Sequence, residues 1–356
     1  MFVPVKSEEG DRLMPTTPAR ARKWIKSGKA TPYWINGIFC VRLNVEPSGK
    51  HKQDICVGVD PGSKKEGFTV KSESHTYLNI QADAHNKVGK KVAKRRELRR
   101  SRRSRKCPNR ENRTNRLSNK ERIPAGTRAR WDWKLRILNW LSKLYPVTQV
   151  CVEDIKARTK QYQTKWNQSF SPLEVGKQWF YIEIEKRWQL STLSGHETKD
   201  IRDRLGLKKS KDKTAETFEA HCVDSWCLAY HVLGGDPIVD NTDIFCISPI
   251  PIQRRNLHRE VPKKGGIRSR YGGTRFLGTR KNMLVKHVKH GLSVICGHMG
   301  KYLCLQPVEG GKRITRSAKV TDCKILTRLN FRYKQIVSKQ PKVDQGELAL
   351  QLILDI

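Results

Sequence analysis

Apolar positions in this chain fall into short runs with strand spacing and a few longer stretches with helical spacing. Ile55-Cys-Val-Gly-Val59 is a near-continuous apolar run that ends at Asp60-Pro61-Gly62, as a buried strand entering a turn does. Gly67-Phe-Thr-Val70 and Thr76-Tyr-Leu-Asn-Ile80 follow at short spacing, so the three predict a meander. Over residues 128–144, Trp131, Leu135, Leu138, Leu141 and Leu144 recur near the helical period, and Pro146 marks the stop. Val147-Thr-Gln-Val-Cys-Val152 predicts a fourth strand that closes on Glu153-Asp154. Residues 214–233, bounded by Gly234-Gly235, read as another helix, and Ile244-Phe-Cys-Ile247 as the last strand of the same domain.

Less regular segments flank this core. The first 50 residues predict a small helix-plus-strand unit. Residues 19–27 carry helix formers after a Thr16-Thr-Pro18 cap region, and Asn36-Gly37 between Tyr33-Trp34-Ile35 and Ile38-Phe39-Cys40-Val41 signals a hairpin. Residues 156–213 read as polar and irregular, with one aromatic helical piece around Trp179-Phe180-Tyr181 and Trp188. Beyond Arg254 the chain is rich in Gly and Arg and then in strand formers to about Tyr333, and no repeat of solenoid period appears.

Charge narrows the functional classes. The 356 residues carry 72 Lys and Arg against 34 Asp and Glu, a formal net charge of +38, so a polyanionic partner is expected. No apolar stretch approaches the ~18 residues of a membrane span, and the first ten residues lack a signal-peptide layout. The expectation is a soluble cytoplasmic protein that meets nucleic acid, with no membrane partner. The ten cysteines form no C-x-x-C pair, which speaks against zinc knuckles and predicts reduced thiols packed as small core residues.

The charge is densest over residues 87–122, where 17 basic and 3 acidic residues give a local +14. Arg95, Arg96, Arg99, Arg100, Arg102, Arg103 and Arg105 belong to this run, with Cys107-Pro108 its first break. On a helix they point all round the cylinder. Like charges at i,i+4 destabilise an isolated helix, so such a helix calls for phosphates on several sides. A solvated run is the plainer alternative.

Three acids complete the candidate chemistry. Asp60 and Glu153 end apolar strands, and Asp224 follows His221 by three residues on the predicted helix, which would put both on one helical face. If the first and fourth strands are parallel neighbours, the acids converge. Carboxylates gathered on two divalent ions are what metal-dependent phosphodiester cleavage needs. Each also has an ordinary reading: Asp-Pro-Gly as a turn, Glu153-Asp154 as a solvated strand end, His221 as a satisfied core histidine. In this order, on a chain this basic, the set predicts a nuclease.

The order of motifs resembles a split RuvC-type nuclease domain: Val-Gly-Val-Asp60-Pro-Gly-Ser, an arginine-rich insertion, Val-Glu153-Asp, then His221-Cys-Val-Asp224-Ser. Arg95-Arg96-Glu-Leu-Arg99-Arg100 is similar to the bridge-helix signature of the transposon-encoded IscB/IsrB family, relatives of type II CRISPR effectors. Arg12-Leu-Met-Pro15-Thr-Thr-Pro18 looks like that family's N-terminal PLMP motif, with Arg12 in place of the first proline. Gly265-Gly-Ile-Arg268-Ser-Arg270-Tyr-Gly-Gly273 and Arg313-Ile-Thr-Arg316 resemble its C-terminal region. His196 is the sole histidine between Glu153 and His221, too few for an inserted HNH nuclease, so the resemblance is to the HNH-lacking IsrB form.

That resemblance implies an α/β fold: an RNase H-like (RuvC) mixed sheet split by an Arg-rich bridge helix, with a small N-terminal α+β unit and a β-rich C-terminal domain. The implied divisions are 1–53 (PLMP-like), 54–85 (RuvC I), 86–122 (bridge helix and basic segment), 123–213 (RuvC II with linker), 214–250 (RuvC III) and 251–356 (flanking-motif and RNA contact). The implied activity is RNA-guided nicking of DNA, with a guide (ωRNA) pairing one strand and the RuvC site cutting the displaced one beside a short flanking motif. Asp60, Glu153 and Asp224 would hold two Mg²⁺, His221 would orient or deprotonate water, and the bridge-helix arginines would bind RNA. The partners would be a guide RNA, one copy per protein monomer, and double-stranded DNA. Arg20, Arg22, Lys23, Arg268, Arg270, Arg280, Arg313 and Arg316 are further candidate nucleic-acid contacts. A guide-independent RuvC-like resolvase or transposase, and a non-catalytic RNA-binding protein, stay open as alternatives.

Overall fold

A computed structural model of the chain describes residues 2–49, 51–106, 123–157, 171–249, 277–308, 310–326 and 331–336. The N-terminal unit is a four-stranded sheet, β1 (Val3–Lys6), β2 (Arg12–Thr16), β3 (Ala30–Ile35) and β4 (Ile38–Leu43), carrying α1 (Pro18–Lys26). Thr17 caps α1 by accepting from the Arg20 amide, with Pro18 in the first turn. Asn36 and Gly37 take positive φ, 53° and 90°, as the hairpin turn between β3 and β4 demands. Sequence reasoning missed β1 and β2 because each contains a proline. Pro15 lies on the edge strand β2, and Pro4 lies where the β1–β2 register shifts between Val3 and Val5, so neither breaks a regular ladder.

The main sheet is built from β5 (Ile55–Asp60), β6 (Lys65–Ser72), β7 (Thr76–Asp83), β8 (Gln149–Asp154), β9 (Gln189–Ser194) and β10 (Ile244–Pro249). Its helices are α2 (Lys87–Lys106), α3 (Ala125–Leu141), α4 (Pro172–Glu185), α5 (Gly195–Arg204), α6 (Phe218–His221) and α7 (Val223–Leu233). A C-terminal sheet follows, β11 (Leu284–His287), β12 (Gly291–Met299), β13 (Tyr302–Gln306), β14 (Thr315–Ala318) and β15 (Cys323–Ile325), and the chain then returns as β16 (Phe331–Ile336). The main sheet has the order β16-β10-β7-β6-β5-β8-β9. β5, β6 and β7 run antiparallel, whereas β8 and β9 add parallel to β5. This antiparallel meander extended by parallel strands is the RNase H-like α/β arrangement.

Two layers cover the sheet. On one face α3 and α4 bury Trp131, Trp133, Leu138, Leu141, Phe180 and Ile184 against the apolar side chains of β5–β8. Ile38 and Cys40 of the N-terminal hairpin join that same core, so the first unit packs on the main sheet. On the other face α7 lays Trp226, Cys227, Leu228 and Ala229 over Cys56 and Cys151. Nine of the cysteines are free thiols, most of them buried. Among the described residues no helix is long and apolar enough to cross a membrane.

Three parts of the sequence reading need correction. Residues 189–204, read as irregular, form β9 and α5: β9 has only Leu190 and Leu193 as apolar residues, and its strand character comes from pairing with β8. The start of α5 was nevertheless legible, since Ser194 and Glu197 form a capping box. The helix read over 214–233 begins only at Phe218 and breaks at Cys222 into α6 and α7, so His221 and Asp224 do not share a helical face. Finally, β10 is not the last strand of the sheet, because β16 pairs antiparallel to it.

Candidate active site

Two of the predicted acids meet because their strands are parallel neighbours. Val59 is in register with Val152, which sets Asp60 and Glu153 side by side at the carboxyl ends of β5 and β8. Burial raises the Asp60 pKa well above the usual carboxylate range, the Glu153 charge raises it further, and Asp224 adds a smaller push. The Glu153 carboxylate lies against the first residue of α5: a Cβ on Gly195 would sit 2.9 Å from Glu153 Oε1. The positive end of that helix favours the carboxylate there.

Asp224 comes from the opposite layer. It sits in the first turn of α7, 4% exposed, where Arg202 Nη1 donates to Oδ1 at 2.6 Å and Lys209 Nζ donates to Oδ2. α7 is seated by contacts that admit no bulk. A Cβ on Gly58 would lie 1.8 Å from the Ser225 carbonyl oxygen, and one on Gly67 would lie 1.9 Å from that of His221. Ser225 Oγ bonds Thr69 Oγ1 at 2.8 Å and donates to the Cys222 carbonyl at 2.9 Å, and Trp226 Nε1 donates to Thr76 Oγ1 at 2.9 Å. Gly58, Gly67, Thr69 and Ser225 therefore position Asp224 over the strand that carries Asp60.

His221 is brought to the site by its backbone, not by its ring. Its carbonyl rests over Gly67, the partner of Asp60 in the β5–β6 ladder. Its Nε2 lies 3.1 Å from the Lys213 carbonyl; a carbonyl only accepts, so Nε2 carries the proton and Nδ1 keeps a lone pair. Burial lowers the imidazole pKa despite that bond, and Lys65 and Lys209 lower it further. Behind Glu153, Asp154 anchors the end of β8, accepting from Lys177 Nζ at 2.6 Å and Tyr181 Oη at 3.1 Å.

The predicted nucleic-acid residues lie elsewhere on the surface. α2 has twelve Lys or Arg among twenty residues and one acid, Glu97. Its N-terminal turns touch α3, where a Cβ on Gly126 would lie 3.5 Å from Gly89 Cα, while Arg95, Arg96, Arg99, Arg100, Arg103 and Arg105 are exposed. Arg102 lies on α2, its side chain outside the described residues. Arg20, Arg22 and Lys23 are exposed on α1, Arg313 and Arg316 are exposed at β14, and Arg280 is half-buried. Arg268, Arg270 and the basic stretch 107–122 lie outside the described residues.

Among the described residues no three His, Cys, Asp or Glu side chains stand so that they could hold one metal ion. Asp60 and Glu153 lie side by side on neighbouring strands, and Asp224 is engaged by Arg202 and Lys209. The donor chemistry nevertheless suits a hard divalent cation, since Asp60 and Glu153 lie side by side at the strand ends and the buried Asp224 adds a third carboxylate from α7 above β5. Arg202 and Lys209 were not found from sequence. A lysine within Lys208-Lys209-Ser-Lys211-Asp-Lys213 carries no signal that singles it out.

Comparison with known proteins adds the following. The T. thermophilus RuvC, solved in complex with Holliday junction substrate, is 13% identical over 51% of this chain and 97% of its own, with a TM-score of 0.26. The yeast mitochondrial Holliday junction resolvase Ydc2 is 12% identical over 51% of this chain and 78% of its own, with a TM-score of 0.25. No curated protein matches the chain. Arg99-Arg100-Ser101-Arg102-Arg103 on α2 has the RRXRR pattern, and residues 3–169, which include Asp60, α2 and Glu153 and stop short of Asp224, match the family described as RRXRR protein.

Proposed function

We propose that this chain is an IsrB-like, RNA-guided DNA endonuclease that nicks the displaced strand of an R-loop at one RuvC-like site. The observation that supports the reading is the register that sets Asp60 beside Glu153, with α7 seated over β5 and carrying Asp224, on a sheet of RNase H-like order. Like charges this close are costly unless a cation joins them. In this reading Asp60, Glu153 and Asp224 would hold two Mg²⁺ ions, whose chemistry when bound would be Lewis-acid charge on a phosphodiester. The chain's own contribution is placement. Arg202 fixes the rotamer of Asp224, and Asp154, held by Lys177 and Tyr181, fixes the strand end that carries Glu153. His221, neutral near pH 7 and bonded through Nε2 to the Lys213 carbonyl, would have to turn its ring toward the acids to accept a proton from the attacking water.

Guidance by RNA is supported by α2. Its arginines are exposed around the cylinder, an arrangement that suits phosphates on several sides more than the floor of one groove. A single acid cluster on a monomer cuts one strand, so the product is a nick.

The test begins with RNA co-purified from expressing cells, sequenced to identify the guide. The complex is then given supercoiled plasmid with a matching target and Mg²⁺. Open circles are expected with the unmodified protein and none with Asp60→Ala. Linear product would contradict the single site, and equal nicking without RNA would favour a guide-independent resolvase.

A further inference from the structure

Asp224 is held by two cations that the chain supplies within eight residues of each other, and they are held unequally. Arg202 projects from α5, and its side chain is 14% exposed. Lys209 lies on residues 207–217, which form neither helix nor strand, and its side chain is 39% exposed. Lys209 also faces more than Asp224. Burial works against its charge, yet Asp60 is the largest charge that favours it, followed by Asp224, with Glu153 behind. Its ammonium, bonded to Asp224, thus also feels the charges of Asp60 and Glu153.

Arg202 and Lys209 bring two positive charges to one buried carboxylate, Asp224. A divalent ion joining this cluster would compete with cations already seated on that carboxylate. Of the two side chains, Lys209 can leave at the lower cost, being a flexible stem on an irregular segment, whereas Arg202 is fixed by its helix.

We propose that Lys209 is an internal cation that stands in for metal at the Asp60–Glu153–Asp224 cluster, and that metal loading displaces it while Arg202 continues to orient Asp224. The inference rests on reading these acids as the metal-holding set. It accounts for the lack of a ready three-ligand site among the described residues, because Asp224 is committed to the side chains that neutralise it. Lys209 is then a residue that sets metal affinity, not one that touches the reacting phosphate.

The test is calorimetric titration of Mn²⁺ into the full-length, metal-stripped and RNA-free protein, with melting temperatures taken with and without Mn²⁺. Lys209→Met should bind Mn²⁺ about tenfold or more tightly, since one charge-assisted contact no longer competes. Without metal it should melt below the unmodified protein, and saturating Mn²⁺ should close that gap. Lys209→Arg should bind more weakly than the unmodified protein, because a bidentate guanidinium leaves less readily. Lys208→Met should bind as the unmodified protein does. Unchanged or weaker Mn²⁺ binding by Lys209→Met overturns the inference, as does a melting deficit that metal does not repair. If Asp60→Asn still weakens Mn²⁺ binding in those cases, the carboxylate reading survives alone; if Asp60→Asn leaves binding intact, both fall.

Discussion

Gly58→Ala is the smallest change that should move Asp224 relative to Asp60. The added methyl would stand 1.8 Å from the Ser225 carbonyl oxygen, 2.9 Å from its carbonyl carbon and 3.0 Å from the Ala229 nitrogen. All three are backbone atoms of α7, so no side-chain rotation relieves the clash. To reach ordinary contact, helix and sheet must part by roughly 1.5 Å in a core packed too densely to give locally. Overpacking of this kind costs about 1–3 kcal/mol, and the upper end applies where backbone opposes backbone. At roughly 2–4 °C per kcal/mol, the melting temperature should fall by about 5–10 °C.

The consequence for function should be larger than that for stability. Asp224 rides on the displaced helix two turns at most from the clash, and misplacement by about 1 Å costs about 100-fold in rate. The assay pairs thermal melting with plasmid nicking at a temperature where the variant is fully folded. Gly89→Ala, whose methyl would meet nothing within 4 Å, is the control and should keep its activity. A Gly58→Ala protein that melts and nicks like the unmodified one would refute the seating of α7 on β5.

Three further outcomes are expected. Because burial and then the Glu153 charge raise the Asp60 pKa, the metal-free native state loses stability as pH rises from the ordinary carboxyl value of about 4 toward the raised one. Asp60→Asn should thus melt above the unmodified protein in chelator at pH 8 and level with it at pH 4, while losing nicking; a gain independent of pH would count against the carboxyl cluster. Asp154 behaves in the opposite sense: although burial opposes it, Lys177 and Tyr181 lower its pKa, so Asp154→Asn should lose about 2 kcal/mol at pH 7 and nothing below both pKa values, read by denaturant unfolding across pH. Replacing Arg99, Arg100 and Arg103 by Gln should weaken RNA binding and flatten its salt dependence by roughly 0.7–0.9 log units per lost phosphate contact. An unchanged salt slope would remove α2 from the RNA interface.

Much of this architecture was legible in the sequence because its elements are decided by local pattern. β5 and β8 grow from near-continuous apolar runs, β6 and β7 from alternating ones (Phe68 and Val70, Leu78 and Ile80), and α3 follows its helical period through Trp131, Leu135 and Leu138. What escaped was decided by partners far along the chain. β9 is a strand because β8 offers it a ladder, and β16 joins the main sheet only after the chain has built a separate five-stranded sheet. The break at Cys222 has a tertiary reason too: the His221 carbonyl and Ser225 must both descend onto β6, at Gly67 and Thr69.

The same distinction separates the acids from their surroundings. Asp60 and Glu153 could be picked out because each terminates an apolar run, and a charge at the end of a buried strand is forced to the sheet edge. Lys209 and Arg202 lie in a polar stretch where every second residue is charged, so nothing in composition or spacing marks them. Only the folded chain shows that two positive charges from this stretch converge on one carboxylate, in a molecule whose net charge is +38. That surplus explains why the cluster needs them. In the absence of metal, carboxylates gathered against their own repulsion must find cations somewhere, and a chain with 72 lysines and arginines can supply them from its own sequence. On the proposed reading, a basic nuclease would hold its acid site together before metal arrives, and its metal affinity would be a contest between the ion and its own lysine.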